Sequence, residues 1–121
     1  MTKIAIGGQM DKQLFEQMIQ KRASDDFSCE VMSDIKAGLA VKNNTADFYV
    51  GACATGAGGA LGLAIGILGG TNCVSISIPG KKLSKEEVAA HLKNGVRAFG
   101  MVNQDIETML PILLDEIKAA R

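Results

Sequence analysis

The alternation of apolar and polar segments along the chain predicts five strands that are each followed by a helix. Short apolar runs bounded by turn residues are typical of strands, and apolar residues three and four positions apart are typical of one helix face. The predicted strands cover residues 3–7, 27–32, 47–52, 72–78 and 96–100. The predicted helices cover about residues 12–22, 34–41, 85–94 and 104–121, and residues 55–68 carry a turn and the third helix, which is expected to begin near Gly56 to Gly58. Regular alternation of the two element types indicates an α/β protein with a parallel sheet.

The predicted architecture is a three-layer Rossmann-like or flavodoxin-like α/β domain with a five-stranded parallel sheet. The chain of 121 residues is long enough for one domain with its own core, so residues 1–121 are assigned to a single domain. The second strand alternates apolar and polar residues and the fifth strand is short, which favours edge positions for both. The third strand lacks polar alternation and is expected at the centre. These assignments predict the strand order 2-1-3-4-5.

Two of the predicted helices are unusually apolar. The second helix is expected to turn Ile35, Leu39 and Ala40 inward, and residues 60–68 are expected to form a buried, close-packed helix. Residues 48–80 include no charged residue, and residues 52–70 are long enough to raise the alternative of a membrane span. This segment is rich in glycine rather than leucine and begins with a turn sequence. We therefore expect tight packing on the sheet and no membrane span.

Composition and charge exclude several classes of partner. The 13 basic residues balance the 13 acidic ones, and aromatic residues make up 4% of the chain. A basic excess or aromatic stacking platforms are typical of nucleic-acid binders, so we expect no nucleic-acid partner. The three cysteines lack CxxC spacing, which argues against a disulfide framework and a zinc site. Free thiols and the short apolar run at the start of the chain favour a cytoplasmic protein. No P-loop or dinucleotide motif is present, so no cofactor and no metal are expected.

The candidate site lies at the topological switch point between the first and third strands. Ligands of such sheets bind beyond the carboxyl ends of the strands, where this chain has two glycine-bearing turns. The backbone N–H groups of these turns and the positive end of the next helix dipole are suited to an anion. The residues of the two turns that are predicted to bind an anion are Gly8, Gln9, Ala54, Thr55, Gly56, Ala57 and Gly58.

Cys53 and Thr55 are the candidate catalytic residues. A thiol beside a helix N-terminus has a lowered pKa and can act as a base or a nucleophile, whereas the alternative is a small buried core residue. Thr55 could donate its hydroxyl to an oxyanion or cap the helix. Lys81, which follows the fourth strand, could neutralise a phosphate, although paired lysines before a helix are also common on a solvated surface.

Over its whole length the chain resembles a small family of bacterial proteins typified by YhfU. The resemblance rests on the segment DFYVGACATGAG at residues 47–58, on Pro79-Gly80-Lys81 and on Ala98-Phe99-Gly100. No activity is established for that family, so this resemblance implies no function.

A second, more distant resemblance is to the family of ribose-5-phosphate isomerase B and galactose-6-phosphate isomerase. Residues 3–7 are similar to its first strand, and residues 46–58 are similar to the segment that ends in its Cys-Gly-Thr-Gly-x-Gly turn. The resemblance implies that Cys53 is the base that moves a proton beside a carbonyl. It also implies that the anion hole for the enediolate is formed by Thr55, Gly56 and Gly58.

The chain departs from that family after the first strand. The family has an Asp-His pair there, which serves sugar binding and ring opening, and the corresponding residues here are Gln9 and Met10. The resemblance therefore implies an anion-binding turn of the same shape but not the usual sugar-phosphate isomerase.

Three functions remain open from the sequence. The leading hypothesis is a protein that binds a small anionic metabolite, such as a phosphorylated one, at the turn after the third strand. The second is an isomerase or epimerase of sugar-phosphate type in which the Cys53 thiolate abstracts a proton alpha to a carbonyl. The third is a non-catalytic subunit or regulator. It would form a homo-oligomer, such as a dimer, through the helix at residues 107–120 or through the glycine-rich helix.

Overall fold

The strands and helices form largely where the hydrophobic pattern predicts them. The structure, a computed structural model, describes residues 1–120, except for the side chain of Ala23. The strands of this part of the chain are β1 (Thr2–Ile6), β2 (Phe27–Val31), β3 (Phe48–Cys53), β4 (Cys73–Ser75), β5 (Ser77–Ile78), β6 (Lys81–Lys82) and β7 (Ala98–Val102). Its α-helices are α1 (Lys12–Ala23), α2 (Asp34–Lys42), α3 (Gly58–Leu68), α4 (Lys85–Lys93) and α5 (Ile106–Ala120).

Five of the strands form one parallel sheet in the order β2-β1-β3-β7-β4. The remaining two, β5 and β6, form an antiparallel hairpin. As predicted, β2 is an edge strand and β3 is the central strand. Helices pack on both faces of the sheet, so the predicted three-layer α/β class is confirmed.

The order of the last two strands of the sheet differs from the predicted order 2-1-3-4-5. The predicted fifth strand is β7, which pairs with both β3 and β4, so that β4 forms the edge. Burial explains the exchange, because all five residues of β7 are buried whereas the three residues of β4 are only partly buried. An edge position suits the shorter and less buried strand. The neighbours β1 and β3 are unaffected, so the switch point between them lies where it was predicted.

The two faces of the sheet have cores of different character. On one face, α1, α4 and α5 pack large apolar side chains such as Phe15 and Leu113 against the strands. On the other face, α2 and α3 contribute mainly alanines to a core whose largest buried side chain is Tyr49. Cys53 belongs to this second core, so the candidate base lies on the face that α2 and α3 cover.

The outer surfaces of α2 and α3 are apolar and exposed, so the prediction that their large side chains point inward is wrong. Ile35 and Leu39 on α2 are 54% and 40% exposed, and Leu63 and Ile65 on α3 are 48% and 45% exposed. The reason is the close approach of both helices to the sheet, which leaves room on the inner side mainly for small residues. Those small buried residues are Ala37, Gly38, Ala40, Ala60 and Ala64. We call the exposed residues Ile35 and Leu39 of α2 and Leu63 of α3 the outer α2–α3 face.

The membrane alternative concerned α3 in particular. Across residues 1–120, none of the helices has both the length and the apolar character of a membrane span.

Candidate functional site

The turns after β1 and β3 are joined by direct backbone contacts. The N–H groups of Gln9 and Met10 both donate to the carbonyl oxygen of Ala52, each at 3.2 Å. Gly8 has a φ of +75°, and a Cβ added to it would lie 2.7 Å from the nitrogen of Ala52. Only glycine allows this approach, because it tolerates a positive φ and has no side chain in the contact. The structure therefore brings the two predicted turns together at the switch point.

The side chain of Gln9 lies beside Cys53, above the start of α3. A Cβ added to Gly59 would lie 2.8 Å from Gln9 Oε1 and 3.1 Å from Cys53 Cβ. The amide of Gln9, the backbone of Gly59 and the thiol of Cys53 thus meet in one small space. Gly59 was not among the predicted site residues, and its bare backbone is what lets Gln9 reach this position.

Cys53 is the last residue of β3, and its thiol is surrounded by hydrogen-bond donors. The side chain is 7% exposed, and its Sγ lies 3.4 Å from Oγ1 of Thr55. Burial acts to raise the pKa of the thiol, but the Thr55 hydroxyl and the N–H groups of Thr55, Gly56 and Ala60 stabilise the thiolate and lower the pKa to about 7. A large fraction of Cys53 is therefore ionised near neutral pH, which suits a base or a nucleophile.

The turn after Cys53 is held in place from the side of β4 and β7. Gly56 has a φ of +77°, and a Cβ at this position would collide with the carbonyl oxygen of Ser77. The hydroxyl of Ser75 donates to the carbonyl of Gly56 at 2.7 Å. The hydroxyl of Ser77 accepts from the N–H of Val102 at 2.8 Å. The turn is thus bonded directly to Ser75, which the sequence reasoning did not select, whereas the Ser77 hydroxyl bonds to β7.

Helix α3 begins at Gly58, within the range predicted for its start. Its N-cap residue is Ala57, so Thr55 does not cap the helix, although its Oγ1 accepts a long hydrogen bond of 3.4 Å from the N–H of Ala57. The helix does not extend back to Gly56, because the positive φ of Gly56 is incompatible with a helix. Among the described residues, the N–H groups of Gly58 and Gly59 have no hydrogen-bond acceptor. They are donors at the positive end of the helix, where Gly58 is exposed and Gly59 is half-buried.

Two further predicted residues make no direct contribution to this arrangement. Ala54 is exposed in the turn, and its methyl side chain has no polar group that could bind a ligand. Lys81 lies on the β5–β6 hairpin opposite Ile78 and forms no ion pair within residues 1–120. The N–H of Ser84 and, more weakly, the charge of Lys81 lower the pKa of Glu87, so Lys81 is near the start of α4.

The groups that usually bind metals do not converge here. In the chain up to residue 120, no three histidine, cysteine or acidic side chains are placed to hold a metal ion. A cleft of about 660 Å³ lies at another part of the surface, where Asp47, Phe48 and Arg97 are among its lining residues. The guanidinium of Arg97 already donates to the backbone carbonyl oxygens of Asp47 and Ala46. We therefore take the turn after β3 as the candidate site.

Comparison with known proteins assigns the chain to a family. A family model described as "Protein of unknown function DUF2620" matches residues 2–117. The chain belongs to the DUF2620 family. It is 34% identical over 118 residues to the proteins described as "Uncharacterized protein YhfU" from Escherichia coli strain K12 and from Shigella flexneri, covering 98% of this chain and all of each relative. The predicted resemblance to the YhfU-like family is thus confirmed.

The fold of this DUF2620 protein is also that of a solved enzyme structure. The crystal structure of ribose-5-phosphate isomerase B from Giardia lamblia superposes with a TM-score of 0.69, covering 95% of this chain and 92% of that one. The two sequences are 19% identical. This match confirms the more distant resemblance at the level of the fold.

Tyr49 is a further residue of the site in this DUF2620 protein that the sequence reasoning missed. It is fully buried, its hydroxyl accepts from the N–H of Gly8 at 2.9 Å, and the same oxygen lies 2.7 Å from the carbonyl of Ala60 and 3.1 Å from Asp34 Oδ1. Burial, followed by the charge of Asp34, raises the pKa of the phenol, so it stays protonated. Tyr49 thereby ties the turn after β1 to α2 and α3. One signal for Tyr49 was available in the sequence: it is the single tyrosine of the chain and lies in the predicted central strand.

Proposed function

We propose that this DUF2620 protein binds a small anionic metabolite, such as a phosphorylated one, at the turn between β3 and α3. The observation that carries the proposal is the pair of N–H groups at the exposed Gly58 and the half-buried Gly59, which have no acceptor within residues 1–120. They lie at the positive end of an 11-residue helix, where an anion is stabilised.

Further features of the turn support an anion site. A Cβ added to Gly58 would meet nothing within 4 Å, so a ligand has room to approach its backbone. Thr55 and Gln9 add polar groups on either side of Cys53. Lys81 is the nearest predicted cation, and in this proposal it contributes to the positive field rather than to a direct contact.

A substitution at Gly58 tests the site with a matched control. Gly58→Asp places a carboxylate where the anion would bind, yet it suits the first turn of a helix electrostatically. Gly62→Asp adds the same charge one turn later, also at a position with nothing within 4 Å of an added Cβ. Inorganic phosphate is titrated into the ¹⁵N-labelled protein, and amide shifts are followed by NMR. We expect saturable shifts at residues 55–59 and binding at least about tenfold weaker in Gly58→Asp, because like charges repel.

The control decides how the result is interpreted. Gly62→Asp should bind phosphate within about threefold of the wild type, because the added charge is separated from the site by a helical turn and partly screened. Equal weakening in both variants would point to a general charge effect. No saturable shift at residues 55–59 in the wild-type protein would rule out the anion site.

A second candidate function is an isomerase or epimerase, and the pKa of about 7 at Cys53 favours it. In this reaction the Cys53 thiolate takes the proton from the carbon beside a carbonyl, and the resulting thiol returns a proton to the neighbouring or the same carbon. The Thr55 hydroxyl and the turn N–H groups would stabilise the oxyanion formed on the carbonyl oxygen. The structural neighbour is named as an isomerase, which supports this class for a chain with the same fold.

Deuterium exchange tests this second function without knowledge of the product. A panel of aldose and ketose phosphates is incubated with the protein in D₂O, and loss of the C–H signal beside the carbonyl is followed by ¹H NMR. We expect exchange with the wild type and with Cys29→Ala, a thiol variant in β2, but not with Cys53→Ala. Cys53→Ala should still bind phosphate, so exchange without Cys53 would exclude its role as the base.

We also infer that the protein works in the cytoplasm as a homodimer built on the outer α2–α3 face. The alternative of the last helix is disfavoured, because its apolar residues Ile106, Met109, Leu110, Leu113, Leu114 and Ile117 are buried in the monomer. The outer α2–α3 face instead leaves three large apolar side chains in solvent. Light scattering on a sizing column should give a dimer for the wild type and a monomer for Leu63→Glu. Ile78→Glu, at a 41% exposed hairpin residue, is the control that should remain dimeric.

A further inference from the structure

The carbonyl group of Gly56 is held in one orientation by two neighbouring strands. Its oxygen lies 2.7 Å from Ser75 Oγ on β4, and the serine must be the donor because a carbonyl oxygen can only accept. On β7, a Cβ added to Gly100 would lie 2.7 Å from the same oxygen, so the carbonyl fits there only because residue 100 is glycine. The hydroxyl of Ser75 and the backbone of Gly100, which has no Cβ, therefore fix the position of the Gly56 carbonyl oxygen.

A fixed carbonyl also fixes the N–H of the same peptide group. The peptide between Gly56 and Ala57 is planar and trans, so its N–H points opposite to its C=O. Because the carbonyl is directed at β4 and β7, the N–H of Ala57 is directed away from them. Its nitrogen lies 3.4 Å from Thr55 Oγ1, which in turn lies 3.4 Å from Cys53 Sγ. The orientation of this peptide thus decides whether the turn presents a donor beside the candidate catalytic pair.

The hydrogen bond from Ser75 helps to fix this orientation. Rotating the peptide by half a turn changes ψ of Gly56 and φ of Ala57. Gly56 tolerates the change, so the Ser75 donor and the allowed φ of Ala57 are what keep the carbonyl directed at β4 and β7. The rotated peptide would present an oxygen to a bound anion and repel it. We propose that Ser75 is a positioning residue, whose hydroxyl keeps the Ala57 N–H, rather than the Gly56 carbonyl oxygen, on the side of Thr55 where the anion would bind. The proposal rests on the proposed function of the turn as an anion site.

An isosteric pair of variants isolates the hydroxyl of Ser75. Ser75→Thr and Ser75→Val have the same shape and both suit a strand, but only threonine retains the donor. Ser77→Ala serves as a control for stability, because it leaves the N–H of Val102 without its acceptor while keeping the Ser77 carbonyl next to Gly56. Each ¹⁵N-labelled variant is titrated with inorganic phosphate, and the Ala57 amide shift gives the dissociation constant.

We expect Ser75→Thr to bind phosphate within about threefold of the wild type and Ser75→Val to bind at least about tenfold more weakly. Ser77→Ala should lose thermal stability but bind with nearly the wild-type affinity. Equal affinities of Ser75→Thr and Ser75→Val would overturn the positioning role and leave the anion site intact. Parallel losses of affinity in Ser75→Val and Ser77→Ala would reduce Ser75 to a structural role. A wild-type protein without a saturable Ala57 shift would overturn both the anion site and this inference.

Discussion

The lowered pKa of Cys53 gives the most direct test of the site. The hydroxyl of Thr55 is one of the donors that lower this pKa to about 7, and Thr55→Val removes it while keeping the side-chain shape. A hydrogen bond to a charged group contributes about 1.5–3 kcal/mol, and one pKa unit corresponds to about 1.4 kcal/mol. Because three backbone N–H groups remain, we expect the pKa to rise by about one unit, at the low end of that range.

The expected change can be measured as a rate of alkylation. At pH 7, a thiol with a pKa of about 7 is half ionised, and a thiol with a pKa of about 8 is roughly 9% ionised. Alkylation of Cys53 by iodoacetamide at this pH should therefore slow about fivefold in Thr55→Val. Peptide mapping by mass spectrometry separates Cys53 from Cys29 and Cys73, and the rates are followed from about pH 5.5 to pH 10. The midpoint of the profile is compared, since it does not depend on how accessible the sulfur is.

The other two cysteines are internal controls. Burial raises the pKa of Cys73, and burial together with the charge of Glu16 raises the pKa of Cys29. Both profiles should therefore lie well above that of Cys53 and should not change in Thr55→Val. A wild-type Cys53 midpoint near the ordinary value of about 8.5, or an unchanged midpoint in Thr55→Val, would refute the assignment of the thiolate to these donors.

Three further predictions concern stability, measured by urea unfolding. Tyr49→Phe should lower the free energy of unfolding by about 1–3 kcal/mol, because the buried N–H of Gly8 loses its acceptor; an unchanged value would show that this bond contributes little. Gly56→Ala should lower the free energy of unfolding by at least about 2 kcal/mol, because φ of Gly56 is +77°. Gly58→Ala should leave the free energy of unfolding unchanged or raise it by about 0.5 kcal/mol. Equal effects of the two substitutions would contradict this distinction. The pKa of Cys53 in the folded protein, about 7, lies below the pKa of an unfolded cysteine. Ionisation of Cys53 therefore stabilises the fold, fully at pH values above the pKa of the unfolded cysteine, and this stabilisation is lost as the pH falls through about 7. The stability of the wild type relative to Cys53→Ala should therefore increase by about 2 kcal/mol between about pH 6 and pH 9.5, and a constant difference would contradict the shift.

Local signals were sufficient to predict the elements and the place of the site. Period-two and helical spacing reflect which backbone positions face the same side, and this depends only on short stretches of sequence. Helix caps are equally local: Ser33 accepts from the N–H of Lys36, and Ser84 forms a capping box with Glu87, as the sequence indicates. The joining of the two glycine-bearing turns followed from topology, because the carboxyl ends of neighbouring parallel strands lie at one edge.

The exposed face of α3 could not be read from its sequence. A helix normally reveals its buried side through charged residues on the opposite side, but α3 consists only of glycine, alanine, leucine and isoleucine. Its outward residues, such as Leu63 and Ile65, became identifiable only when the sheet and α2 occupied the other side. The order of β7 and β4 likewise differs from the predicted order, because it depends on burial from both faces rather than on either strand alone.

The sequence by itself therefore determined the α/β class, the central strand and the turn that contains Cys53. The tertiary structure alone decided which distant groups hold the two turns in place. Ser75 is 19 residues from Gly56, and Tyr49 is 41 residues from Gly8, so neither hydrogen bond has a signal in local spacing. The physical reason is that such bonds form only after packing brings distant segments together. A serine in a strand or a tyrosine in a core does not reveal from sequence which distant partner it will meet.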